Sequence, residues 1–90
     1  MKEKQSDMAE LFKALGHPTR LTIVEGLTKN ECNVMHIVEC LKIPQATISQ
    51  HLAVLKSCGI IRGERKGTQI CYKVVDERVR KLMKFIENNK

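Results

Sequence analysis

Aromatic side chains are scarce in this 90-residue chain. Phe12, Tyr72 and Phe85 are the whole set, and there is no tryptophan. Proteins that bind single-stranded nucleic acid without sequence preference stack the bases on exposed aromatic rings. Three scattered rings do not provide such a platform, so the composition argues against that function.

Long apolar runs are absent too. No stretch approaches the roughly 18 residues that a membrane-spanning helix needs. The N-terminal segment MKEKQSDMAELF begins with mixed charges and lacks the apolar centre of a secretory signal peptide. We therefore expect a cytoplasmic protein, in a compartment where thiols stay reduced.

Sequence features of enzymes and metal proteins are missing as well. The chain has no glycine-rich phosphate loop, no arrangement resembling a catalytic triad and no paired carboxylates. A chain this short also leaves little room for a substrate pocket. The four cysteines do not show the C-x-x-C pairs of a closed zinc site. We therefore predict a protein that is not an enzyme and holds no cofactor.

Positive charge, by contrast, is concentrated in one part of the chain. The net charge is +6, of which residues 42–73 carry +5 and the other 58 residues only +1. A basic block on an otherwise balanced chain is the pattern expected of a protein that binds a polyanion such as nucleic acid. A solvated basic surface would give the same composition, so charge alone does not decide between them.

The spacing of apolar residues predicts five helices and a β-hairpin in one domain spanning residues 1–90. The helices are expected at about 6–15, 18–28, 34–41, 45–57 and 76–88. Gly59 is placed to end the fourth helix and Asp76 to cap the fifth. Two alternating segments around Gly67 predict the hairpin. This order is typical of a winged helix-turn-helix, an α+β fold that is mainly helical.

The fourth helix carries polar side chains where a recognition helix would meet DNA. A helix in the major groove presents its N-terminal residues to the base edges. Glutamine can make two hydrogen bonds to adenine, threonine can touch the thymine methyl, and cations on the wing can reach phosphates. The predicted DNA contacts are Gln45, Thr47, Ser49, Gln50, His51, Lys56, Arg65 and Lys66.

Two long motifs resemble the ArsR/SmtB family of bacterial winged-helix repressors. They are LFKALGHPTRLTIVEGL at 11–27 and PQATISQHLAVLKSCGIIRGERKGTQICYKV at 44–74. The resemblance covers about residues 8–86. Pro44 stands where the family often has a serine cap. The resemblance implies a repressor that binds an imperfect palindrome in double-stranded DNA as a homodimer.

The first and last helices are the expected dimer interface. The resemblance assigns dimerisation to them, and they carry more apolar surface than so small a core can bury. A two-fold dimer would place its two recognition helices about one DNA turn apart. The predicted interface residues are Met8, Leu11, Phe12, Val79, Leu82, Met83 and Ile86.

Two metal sites that members of the family commonly use lack their ligands here. The resemblance places one at Asn33, Met35 and Val38, none of which is a thiolate. At the other, Asp76 matches the first ligand, but Arg78 stands where the family has a histidine. A positive charge beside the ligands disfavours a cation. We therefore predict no bound metal.

Three kinds of regulator remain open. A repressor without a small-molecule ligand is favoured, because the chain resembles short regulators of that type. The alternative is a thiol-based redox or sulfide-responsive repressor with Cys32 and Cys71 as the candidate pair. Strand alternation places these two cysteines on different sides, which counts against a bond between them. A winged helix that binds proteins instead of DNA is a further alternative, which the basic wing disfavours.

Overall fold

The computed structural model describes residues 3–29, 39 and 42–89, with side chains from residue 5 onward. The elements are α1 (Glu3–Leu15), α2 (Pro18–Lys29), α3 (Gln45–Ser57), β1 (Ile61–Lys66), β2 (Gln69–Val74) and α4 (Glu77–Asn88). The predicted order of helices around a hairpin is thus present in the described part of the chain. The helix expected at 34–41 lies outside it, apart from residue 39.

One hydrophobic core joins all six elements. No polar or charged residue in the described part of the chain is buried. Burying a large aliphatic side chain stabilises the fold by about 1.5–3 kcal/mol, so this cluster is the main source of stability. Its members are Leu11, Ala14, Leu15, Ile23, Val24, Leu27, Ile48, Leu52, Leu55, Ile60, Ile61, Val74, Val79 and Met83.

A glycine turn joins α3 to the wing. Gly59 has a φ of 74°, a left-handed conformation that glycine adopts without a steric penalty. The Ile60 N–H donates to the Leu55 carbonyl and the Gly59 N–H to the Lys56 carbonyl, each at 3.0 Å. These two hydrogen bonds form a Schellman motif, and Gly59 ends the helix as predicted. It turns the chain so that Ile60 and Ile61 enter the core directly after the helix.

The wing is a two-stranded antiparallel hairpin that is anchored at its base. Ile61 pairs with Val74 at the base, where both side chains are buried, and Lys66 pairs with Gln69 beside the turn. Gly67 turns the chain with a φ of 65°. Residues 64–70, which include the turn, are all exposed.

A tyrosine lies across a glycine in the middle of the wing. Gly63 pairs with Tyr72. A Cβ at position 63 would lie 2.9 Å from Tyr72 Cε1 and 3.0 Å from Ile70 Cγ2. Only glycine leaves room for this ring, so Gly63 helps to define the shape of the wing.

The last helix begins at the predicted cap. Asp76 Oδ1 accepts hydrogen bonds from the Arg78 N–H at 2.9 Å and the Val79 N–H at 3.3 Å. The Arg78 side chain also donates to both carboxylate oxygens, at 3.2 Å and 2.8 Å. The Arg78 hydrogen bond, helped by the two backbone donors, lowers the pKa of Asp76 below its ordinary value. No helix in this part of the chain has the length and apolar character that a membrane span requires.

Candidate nucleic-acid interface

The outer face of α3 is polar and exposed. Gln45, Ser49, Gln50 and Lys56 are all exposed, because the 3.6-residue period directs them away from the buried side. Ile48, Leu52 and Leu55 occupy that opposite side and fix the helix to the core. Four of the six predicted contacts on the helix therefore share one accessible face.

Small residues separate the polar side chains on this face. Ala46 and Ala53 are exposed beside Gln45, Ser49 and Gln50. The sequence prediction did not include them, although alanines between glutamine and serine were the available signal. Short side chains let a helix backbone approach a groove closely, so these alanines make the face suitable for insertion.

The first turn of α3 has neither a side-chain cap nor an acidic residue. Pro44 is the N-cap, and its carbonyl accepts from the Thr47 and Ile48 N–H groups at 3.0 Å and 3.1 Å. Proline has no polar side-chain atom to cover the terminal N–H groups. The positive end of the helix dipole is therefore not offset by a local carboxylate.

Two predicted DNA contacts lie on the flank of α3 instead. Thr47 and His51 are half-buried. The His51 ring lies against the His17 ring, with centroids 4.5 Å apart and planes tilted by 46°. The sequence prediction grouped these two residues with the exposed ones, because their chemistry suits DNA. Their position on the helix is different, and His51 already has a partner within the chain.

The outer end of the wing carries unpaired cations. Arg65 and Lys66 are exposed next to the turn. Neither takes part in an ion pair with any residue that the structure describes. The hairpin's ion pair in this region joins Lys73 to Glu64 at 3.9 Å, with both side chains largely exposed. The net positive potential of the wing is therefore available to an external anion.

The predicted dimer residues divide into two groups. Leu11, Val79 and Met83 are buried in the chain's own core, and Leu82 is half-buried. The accessible ones are Met8, Phe12 and Ile86, with Phe12 57% exposed. An apolar stripe in a sequence does not distinguish burial within a chain from burial between chains, which is why all seven were grouped together.

The most exposed large apolar side chain in the described part of the chain was not predicted. Phe85 is 65% exposed, next to Ile86 on α4. It lies three residues after Leu82 but beside the stripe formed by Val79, Leu82, Met83 and Ile86, and it was left out of the predicted set. A phenylalanine off the core stripe of an amphipathic helix was the signal that could have found it.

The two cysteines in the described part of the chain differ in whether their sulfur is bonded. Cys71 is disulfide-bonded and only 9% exposed, whereas Cys58 is free and packs against the core. Strand alternation placed Cys71 on one face with Gln69 and Lys73. Gln69 is exposed but Cys71 is not, so that face is covered at its centre. Cys32, its predicted partner, lies outside the described residues.

The carboxylate at the second of the family's metal positions is already occupied. Both oxygens of Asp76 accept from the Arg78 side chain. Within the described ranges, no group of three or more histidine, cysteine, aspartate or glutamate side chains is arranged to hold a metal ion. Asp76 acts here as a helix cap.

Comparison with known proteins identifies the family. Residues 17–72 match the bacterial regulatory protein, arsR family. The chain is 44% identical over 86 residues to an uncharacterized HTH-type transcriptional regulator of Methanocaldococcus jannaschii, covering 94% of this chain and 97% of that one. It is 38% identical over 81 residues to the transcriptional repressor PagR of Bacillus anthracis, covering 89% and 81%.

Solved structures match over nearly the whole chain. The crystal structure of PagR superposes with a TM-score of 0.80 at 37% identity, covering 92% of this chain and 95% of PagR. A homodimeric winged helix-turn-helix DNA-binding domain from Mycobacterium bovis, a possible ArsR-family regulator, gives 0.81 at 27% identity, covering 98% and 85%. The fold is thus the predicted winged helix-turn-helix. The chain is a DNA-binding transcriptional regulator and belongs to the arsR family.

Proposed function

We propose that this protein is a repressor that binds an operator in double-stranded DNA as a homodimer, with α3 in the major groove. The observation that carries the proposal is the exposed polar face of α3 together with a wing whose outer cations, Arg65 and Lys66, form no ion pair with any described residue. PagR, a relative that aligns over most of both chains, is a transcriptional repressor. Such a repressor would act in the cytoplasm, and we assign it no catalytic activity.

The residues of this surface have distinct roles in the proposal. Gln45 and Gln50 read base edges, because their amides can both donate and accept hydrogen bonds. Ser49 and Lys56 contact the backbone or adjacent bases. Thr47 lies at the margin of the groove-facing surface. Arg65 and Lys66 bind phosphates beside the site and add affinity without sequence preference.

Dimerisation would cover the exposed apolar side chains of the first and last helices. Met8, Phe12, Phe85 and Ile86 are exposed on the single chain. The related domain from Mycobacterium bovis is homodimeric. A two-fold axis would set two copies of α3 about 34–36 Å apart, so each would meet one half of an imperfect palindrome.

Fluorescence anisotropy on the upstream DNA of the protein's own gene tests this proposal. We expect tight binding to that duplex, weaker binding to a shuffled duplex, and two chains per site. Gln50→Ala should reduce the difference between the two duplexes, whereas Gln5→Ala, an exposed glutamine on α1, should not. Equal affinity for both duplexes, or one chain per site, would contradict it.

A thiol-responsive repressor is a second candidate because Cys71 is disulfide-bonded. The comparisons do not favour it. A small dithiol would break the bond by thiol–disulfide exchange, leaving two protein thiols and the oxidised dithiol. If the bond matters for function, DNA affinity should change on reduction in the parent chain and in Cys58→Ser, but not in Cys71→Ser. Equal affinity before and after reduction would leave the bond a structural one.

A further inference from the structure

His17 caps α2 with its side chain. The Thr19 N–H donates to His17 Nδ1 at 3.1 Å, and the Leu21 N–H donates to the His17 carbonyl at 2.8 Å. This hydrogen bond uses the lone pair of Nδ1, so the cap requires that nitrogen without a proton.

His51 reaches this cap from the flank of the recognition helix. Its ring lies 4.5 Å from that of His17, so the two rings connect the start of α2 with the middle of α3. The titratable and charged groups that act on His51, among the described residues, are His17 and Arg20. Burial, followed by those two neighbours, lowers the pKa of His51 below its ordinary value of 6.5.

Arg20 makes a second positive charge unfavourable here. Its Nε atom is buried and has no hydrogen-bond partner. None of the ion pairs within the described ranges involves Arg20. A protonated His51 would therefore meet a guanidinium that no described carboxylate offsets, and a His17 ring that can offer it only another N–H.

We propose that His17 and His51 are positioning residues, whose contacting rings hold the recognition helix against the start of α2 and separate when His51 takes up a proton. The inference rests on the proposed role of α3 in DNA binding. It changes the role of His51, which the sequence suggested as a DNA contact. In this account His51 orients the reading face and touches no base or phosphate.

The two roles of His51 predict opposite responses to pH. His51 binds a proton more weakly in the intact pair than when the rings are separated. Above pH 6.5 both states leave His51 unprotonated, so pH does not affect the pair. Below pH 6.5, protonation increasingly favours the separated rings. DNA affinity should then fall as the pH falls below 6.5. A histidine that touched phosphate would instead gain charge in acid, and affinity would rise.

Anisotropy measured between about pH 7.5 and pH 5.5 at constant ionic strength separates these cases. We expect the affinity of the parent chain to fall roughly three- to tenfold over this range. His51→Gln, which has a polar but non-titrating side chain, should show little pH dependence. The third histidine provides the control, because His36→Gln should keep the full response. Circular dichroism at the lowest pH shows whether the chain stays folded.

Nitrogen chemical shifts of the rings provide a readout that does not need DNA. We expect His17 to carry its proton on Nε2 and the pKa of His51 to lie below 6.5. In His17→Asn, where asparagine preserves the cap, the pKa of His51 should move back towards 6.5. Affinity that rises in acid and becomes flat in His51→Gln would make His51 a DNA contact. A flat parent profile, or a proton on His17 Nδ1, would also overturn the inference. If the parent chain did not bind DNA at neutral pH, the result would contradict the proposed function and not this inference alone.

Discussion

Ion pairs join α2 to α4 and close the first turn of α4, whereas the exposed cations of α3 and of the outer wing form no ion pair with any described residue. Lys29 on α2 lies 3.2 Å from Glu87 on α4, and Arg78 holds the carboxylate of Asp76. The Glu87 hydrogen bond and charge raise the pKa of Lys29 above its ordinary value. The first pair connects two helices and the second lies at the start of α4, so these cations are neutralised by carboxylates of the same chain.

On the recognition side, three exposed cations have no carboxylate partner among the described residues. Lys56, Arg65 and Lys66 are exposed and form no ion pair with any residue in the described part of the chain. Net charge alone does not identify a binding surface, because the α2/α4 region and the recognition side both contain lysine and arginine. What distinguishes the recognition side is that its unpaired cations accompany the exposed polar face of α3, whereas Lys81 and Lys84 on α4 also lack an ion pair among the described residues but belong to a different helix.

The largest effect should come from removing the unpaired cations of the wing. Arg65→Gln with Lys66→Gln removes four charges per dimer, which should reduce the slope of log affinity against log salt concentration by about 3–4. Affinity should fall for all DNA sequences alike. The matched control is Lys81→Gln with Lys84→Gln on α4, which should leave the slope unchanged. If the wing variant changed the sequence preference, the wing would read bases, and the roles assigned to the wing and to α3 would be wrong.

Removing one reading side chain should have a smaller, sequence-dependent effect. Gln45→Ala should cost roughly 1–3 kcal/mol of discrimination at one base pair per half-site. Affinity for unrelated DNA should stay the same, since the phosphate contacts remain. Competition binding with duplexes changed one base pair at a time measures this. A uniform loss across all duplexes would show that Gln45 contacts the backbone.

Removing the cap of α4 should reduce stability and leave the DNA surface intact. Asp76→Ala leaves two N–H groups without an acceptor and should lower the free energy of unfolding by about 1 kcal/mol. Because its pKa is lowered on folding, the charge of Asp76 stabilises the fold above pH 3.8, and this contribution is lost as the pH falls through the lowered value. Asp76→Asn, measured by thermal unfolding, should restore most of the cap at neutral pH.

The smallest effect should come from breaking an exposed pair. Lys29→Gln removes a charge that solvent largely screens, so the unfolding midpoint should stay within experimental error. DNA affinity at moderate salt should not change either, because this lysine already has a carboxylate partner. A clear loss of DNA affinity would show that pairing is a poor guide to which cations bind DNA.

Local rules in the sequence predicted much of the fold. Gly59 ends α3, Asp76 caps α4 and Gly67 lies in the hairpin turn, because each depends on residues within one or two turns of it. The exposed contacts on α3 follow from helical period in the same way. These features need no knowledge of the rest of the chain.

Other features depend on what packs where. His51 has the chemistry of a DNA contact, yet α2 brings His17 against it. Leu11 and Phe12 are adjacent in the sequence, and only the packing of the other helices decides that one is buried and the other exposed. Cys71 shares a strand face with the exposed Gln69 but is itself buried, which the alternation of the strand does not predict. Such differences cannot be read from a single segment.

A salt titration of DNA binding by the parent chain tests the central claim most directly. Anisotropy would give Kd on the chain's own upstream duplex from low to moderate salt. If the unpaired cations of α3 and the wing meet phosphates, log affinity should fall steeply and linearly with log salt concentration, with a slope that reflects several phosphates per dimer. A flat response would contradict the claim that this surface binds DNA.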